Sequence, residues 1–157
     1  MDKHLEDVLI MAERLAMLHY HFAEKIVEKL GEEEGSALID AAILAYGQEC
    51  GLKARQKVET LGHENTIDNH HLAKDLPSCG WKTEVLQLDK QHELVKIDNC
   101  PMAETWMRYN KPQLGRHYCQ VDQAKYQAYN ETLTCTHDSN VLDGDDYCLI
   151  HVALKTE

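Results

Sequence analysis

Nowhere in the 157 residues do Lys and Arg gather into a run, and 27 acidic residues stand against 16 basic ones for a net charge of −11. Nucleic acids and anionic membranes both require a cationic footprint, so neither is an expected partner. No apolar run approaches the ~20 residues of a membrane span, and the opening MDKHLEDVLIMAERLAM carries charges where a signal peptide would be apolar. A cytoplasmic chain is expected. Also missing are CxxC, GxGxxG, GxxxxGK followed by Ser or Thr, and HExxH, which removes zinc-ribbon, redox-pair, nucleotide-binding and zinc-protease signatures. Six cysteines are present (Cys50, Cys79, Cys100, Cys119, Cys135 and Cys148), but their wide spread in a reducing compartment predicts free thiols.

The length suits one domain, 1–157, able to bury roughly two-thirds of its unfolded surface. Leu5, Val8, Leu9, Ala12, Leu15, Ala16, Phe22, Ile26 and Leu30 recur at three- and four-residue steps, which predicts a helix with that face buried, capped by Asp2 and stopped by Gly31. Glu32, Glu33 and Glu34 suit the start of a second helix, whose apolar face reads as Leu38, Ala41, Ala45 and Leu52. Gly47 and Gly51, one turn apart, signal close helix packing. These helices fill 1–62, and a polar connection follows over 63–80, where the adjacent pair His70 and His71 is expected to face water.

Beyond Gly80 the period changes. WKTEVLQLDK and HELVKIDNC alternate around a turn, as do ETLTCTHDSN and DDYCLIHVALK, and both pairs read as hairpins. Between them lie a helix opening at Pro101 and a second helix, GRHYCQVDQAKYQAYN, so 81–157 reads as ββααββ. The expected class is α+β, with N-terminal helices packed on an antiparallel sheet of two hairpins separated by a helix pair. His137 and His151, both in the closing hairpin, could approach across strands.

On a wheel of 100° per residue, Cys119, Asp122 and Tyr126 border the apolar arc of Tyr118, Val121, Ala124, Ala128 and Tyr129. A thiol near a helix N-terminus, with Arg116 and His117 beside it, suits a nucleophile, while Asp122 suits a general base. Tyr126, His117 or Asn130 could stabilise developing negative charge. Cys119 is equally readable as packing or as a metal ligand, since free cysteine is among the most buried residue types.

Cys100-Pro101, Glu104 and Trp106, then Leu114-Gly115-Arg116, Tyr118-Cys119 and Val121-Asp122, then Tyr129-Asn130, together resemble the L-2-amino-thiazoline-4-carboxylic acid hydrolase family over about residues 10–152. The resemblance implies hydrolytic opening of a small cyclic C=N or amide-like ring. The catalytic candidates on this chain are Cys119, Asp122 and His117, and Tyr126, Asn130, Trp106, Arg116 and Cys100 are candidates for holding the small-molecule substrate. No cofactor is expected; the alternative is zinc or iron on Cys119, Cys100 and Cys148. A second alternative is a non-catalytic sensor or accessory domain using the same groove. The first helix could also pair with its copy in a homodimer.

Overall fold

The computed structural model describes residues 2–155. Two long helices, α1 (Lys3–Leu30) and α2 (Glu32–Thr60), are separated by Gly31 alone, whose φ of 85° turns the chain back on itself. Asp2 caps α1 by accepting from the His4 amide. A 3-10 segment, Ile67–Ala73, leads to the first hairpin, β1 (Lys82–Leu88) and β2 (His92–Asn99). Asp89 fixes the hairpin turn, its Oδ1 accepting from the amides of Gln91 at 2.7 Å and His92 at 2.8 Å.

Three short helices follow: α3 (Pro101–Arg108), α4 (Pro112–Tyr118) and α5 (Val121–Tyr129). The second hairpin, β3 (Leu133–Ser139) and β4 (Cys148–Leu154), then completes one antiparallel sheet in the order β1-β2-β4-β3. The two expected hairpins thus join through β2 and β4. The expected helix pair is three helices, because GRHYCQVDQAKYQAYN breaks at Cys119 and Gln120. No local signal demands that break; it lets α5 turn to lie along α2, its most extensive helix contact.

That packing also corrects the expected face of α2. Gly35, Ile39, Ile43, Gly47, Gly51, Ala54 and Val58 are buried, while Leu38 and Leu52 are exposed. A Cβ on Gly47 would stand 2.7 Å from the Val121 carbonyl oxygen, and one on Gly51 would strike the Lys125 carbonyl. The α2–α5 contact is therefore made at backbone distance, which selects the small-residue stripe over the larger apolar side chains. The same logic holds in α1, where Ala12, Ala16, Tyr20 and Ala23 are buried, while Leu15 and Phe22 remain 42% and 62% exposed. Trp106 packs on that alanine face and donates its indole N–H to the Ala16 carbonyl at 2.9 Å.

One apolar cluster joins α1, α2, α3 and α4, and another joins the C-terminal half of α2, the 3-10 segment, α5, β3 and β4. The inner sheet face carries Glu93, Val95 and Ile97 of β2 opposite Val152, Ile150 and Cys148 of β4, with Cys135 and His137 of β3 beside them. His151 lies on the opposite face from His137, so the expected approach of those two rings does not occur. Among the described residues, no helix is long and apolar enough to cross a membrane.

Candidate active site

The N-terminal turn of α5 places Asp122 against the inner sheet face. His137 Nε2 lies 3.2 Å from Asp122 Oδ2, and His137 Nδ1 lies 3.0 Å from the Asn140 side-chain nitrogen. Asn140 is itself locked: its Oδ1 accepts from the Leu142 amide at 2.9 Å, and its own amide donates to Asp145 at 2.8 Å. With the Asn140 oxygen committed, its NH2 must donate to Nδ1, so His137 carries its proton on Nε2 and donates it to Asp122. A chain of hydrogen bonds thus runs from the β3–β4 connection to the carboxylate.

Burial alone would raise the Asp122 pKa, but the His137 hydrogen bond and the charge of Lys125, whose Nζ is 3.8 Å away, more than offset it. The carboxyl therefore titrates below the usual aspartate range. Deep as it is, the Asp122 side chain remains 22% accessible, whereas that of His137 is only 3% accessible. Lys125 is buried between Asp122 and Asp75, whose Oδ1 is 3.6 Å from its Nζ; burial works against its charge, and the two carboxylates outweigh that.

Cys119 is the C-cap of α4 and directly precedes Gln120, the N-cap of α5, so it lies between two helices rather than in the first turn of one. Burial pushes its thiol up to about 12, with Asp122 adding to the rise; the Asn140 side chain and Arg116 pull the other way and lose. Cys100, before α3, is likewise raised by burial. Cys148 is buried, and its sulfur accepts from the Val141 amide at 3.4 Å. Among the described residues, no three His, Cys, Asp or Glu side chains group as a metal would require.

The remaining candidates separate. His117 turns to α2, its Nδ1 being 2.6 Å from Asp40 Oδ1, which also takes a hydrogen bond from Gln120. Arg116 pairs with Asp143 at 2.9 Å. These five, with Gln113, Gln123 and Leu142, line an open cleft of about 610 Å³ beside the α4–α5 turn. Tyr126 points inward from α5 and donates to Glu93 at 2.7 Å, an interaction in which burial raises the Glu93 pKa. Asn130 donates to the Asn65 carbonyl and caps Thr132, and Trp106 is fully enclosed by the core.

His70 is not the solvent-facing residue its loop setting predicts. Its ring lies 4.5 Å from that of Tyr126 and 4.8 Å from that of Tyr129, with Nε2 buried and unpartnered. Sequence reading passed over Asp40, Glu93, Lys125 and Asn140. Only Lys125 left a local signal, as a lysine three residues after Asp122 and beside the buried Ala124.

The architecture defines a class: helices on one face of a four-stranded antiparallel sheet, shared with solved ligand-bearing domains. One is a trafficking protein particle complex subunit 3 from Naegleria fowleri covalently bound to palmitic acid, similar at a TM-score of 0.55 with 16% identity, over 94% of this chain and 96% of that one. Another is the phenol-responsive sensory domain of the transcription activator PoxR with phenol, at a TM-score of 0.54 with 13% identity, over 91% of this chain and 74% of that one. At such identities the likeness establishes the fold. The chain belongs to the L-2-amino-thiazoline-4-carboxylic acid hydrolase family, whose model matches residues 10–152. No curated protein matches it.

Proposed function

We propose that the chain is a cytoplasmic, cofactor-independent hydrolase that opens the ring of a 2-amino-thiazoline-4-carboxylate or a close cyclic relative, with Asp122 as the base. One observation carries this reading: a carboxylate held ionised deep in the fold, hydrogen-bonded by His137 and still accessible at its edge. Asp122 takes a proton from water as the water oxygen attacks the ring carbon between nitrogen and sulfur. The C=N electron pair moves to the ring nitrogen, which takes that proton from the carboxyl. The added hydroxyl then becomes C=O as the carbon–sulfur bond breaks, and its proton passes through Asp122 to the departing sulfur, leaving a carbamoyl-cysteine with a free thiol.

A thiol pushed up to about 12 is protonated at neutral pH, which supports this water route over attack by Cys119. Cys119 and Cys100 then serve as the wall beside the reacting ring. The Arg116 guanidinium, though paired with Asp143, stands at the open cleft where it is suited to orienting a substrate carboxylate. On α1, Met11, Leu15, Leu18 and Phe22 are exposed at the spacing of a helix-pairing seam. The spacing reads the same in both directions, so an antiparallel second copy would set Met11 against Phe22 and Leu15 against Leu18.

The test is to incubate the protein with 2-amino-thiazoline-4-carboxylate and follow new free thiol with a thiol reagent. Thiol release is the expected result, and its absence contradicts the hydrolase reading. The fold shared with a phenol-responsive sensory domain favours a second reading, a ligand-binding domain without turnover. In the same assay that reading gives a bound compound recovered unchanged.

A further inference from the structure

The hydrolase reading uses the Asp122 carboxylate and leaves its charged neighbour on α5 without a task. Lys125 follows Asp122 by three residues on the same side of the helix, and it is buried. Burying an ammonium is costly, and close hydrogen bonds to a partner normally offset the cost. Here they are missing. Lys125 Nζ stands 3.8 Å from Asp122 Oδ1 and 3.6 Å from Asp75 Oδ1, both beyond hydrogen-bond reach, and among the described residues no other group accepts its protons.

The two oxygens of Asp122 are treated differently. Oδ2 faces the His137 donor, while Oδ1, the oxygen nearer Lys125, has no hydrogen-bond partner among the described residues. Both side chains keep accessible surface, and neither Oδ1 nor Nζ is sealed in. An open acceptor and an open donor thus stand 3.8 Å apart. An oxygen at ordinary hydrogen-bond lengths, about 2.8–2.9 Å from each, closes that triangle. The Lys125 backbone is pinned in this position, because its carbonyl lies so close to α2 that a Cβ on Gly51 would strike it.

We propose that Lys125 is a further catalytic residue of the ring-opening reaction, an inference that rests on the hydrolase reading: its ammonium and Asp122 Oδ1 together hold the attacking water. That oxygen gives one proton to Oδ1 as its lone pair bonds to the ring carbon. It gives the second to Oδ1 as C=O forms and the carbon–sulfur bond breaks. The oxygen ends as the carbonyl of the carbamoyl product, and Lys125 donates to it throughout, most strongly while negative charge gathers on it in the second step. The ammonium keeps its own protons, so those bound for the ring nitrogen and the sulfur travel by way of Asp122.

The experiment is steady-state thiol release from 2-amino-thiazoline-4-carboxylate by wild type, Lys125→Met and Lys125→Ala across pH, with circular dichroism to confirm the fold. Rates are compared on the pH plateau, where Asp122 is ionised in every protein and a change in its titration does not enter. In both variants kcat should fall by at least about a hundredfold, with KM within about threefold of wild type. Propylammonium supplies the atoms that alanine lacks, and it should raise kcat of Lys125→Ala by at least about tenfold while leaving Lys125→Met unchanged. A plateau kcat within about threefold of wild type, a loss confined to KM, or a Lys125→Ala protein that propylammonium does not revive overturns the role of Lys125, while thiol release by the wild type still upholds the hydrolase reading. Absence of thiol release from the wild type overturns both.

Discussion

His137 Nε2 stands 3.2 Å from Asp122 Oδ2, and its other nitrogen is held by an asparagine whose amide orientation is fixed by the Leu142 backbone. The tautomer facing Asp122 is therefore set by Asn140, a residue that touches no reacting atom. Asn140→Asp keeps the acceptor for the Leu142 amide but turns the group facing Nδ1 into an acceptor. An imidazole flanked by two carboxylates is driven to carry both protons, so a charged ring then donates to Asp122 and makes it a weaker base. We expect kcat to fall by about tenfold or more with KM little changed, and the acid limb of the pH–rate profile to move downward as the Asp122 carboxylate is held more tightly. Steady-state kinetics across pH, with circular dichroism to confirm the fold, checks this.

His70 gives the stability of the protein a pH dependence of its own. Burial, assisted by the Lys125 charge, lowers its pKa from 6.5 to about 4. Between those values the unfolded chain binds a proton that the folded chain refuses, so stability falls as pH drops from about 6.5 toward 4 and levels off below. His70→Phe keeps the packing between Tyr126 and Tyr129 and removes the unpartnered Nε2. Its melting temperature should depend less steeply on pH across that window than that of the wild type, read by thermal melts at successive pH values.

Gly51→Ala tests the α2–α5 crossing. The added Cβ would run into the Lys125 carbonyl, backbone that cannot swing aside as a side chain would. A loss of about 1–3 kcal/mol is expected despite the better helix propensity of alanine. Denaturant unfolding measures it directly, and a gain in stability would show that the helices do not meet at backbone distance.

The parts of this fold that local pattern governs were legible in the sequence. The alternation in Lys82–Leu88 and Cys148–Leu154 marks strands, and Gly31 marks the turn between long helices. The misread parts were those decided by distant partners. Leu38 and Leu52 look like the buried face of α2 until α5 arrives, at which point Gly47 and Gly51 permit the closer contact. The segment around Cys119 looks like one helix because nothing within it opposes helix formation; the break belongs to the packing of α5. Asp122 was readable as a candidate, but its partners lie on β3 and in the connection after it, where only the folded chain brings them together. Cys119 drew attention by its residue type and neighbours, whereas its burial and its place at the end of α4 were set by tertiary structure.

The central claim is that Asp122, and not Cys119, performs the chemistry. It is tested most directly by the rate of thiol release from 2-amino-thiazoline-4-carboxylate in Asp122→Asn and Cys119→Ala, compared with wild type at neutral pH. Water activation by Asp122 requires a loss of at least about a hundredfold in Asp122→Asn and a change within about tenfold in Cys119→Ala. The reverse order, with Cys119→Ala inactive and Asp122→Asn near the wild-type rate, would contradict it.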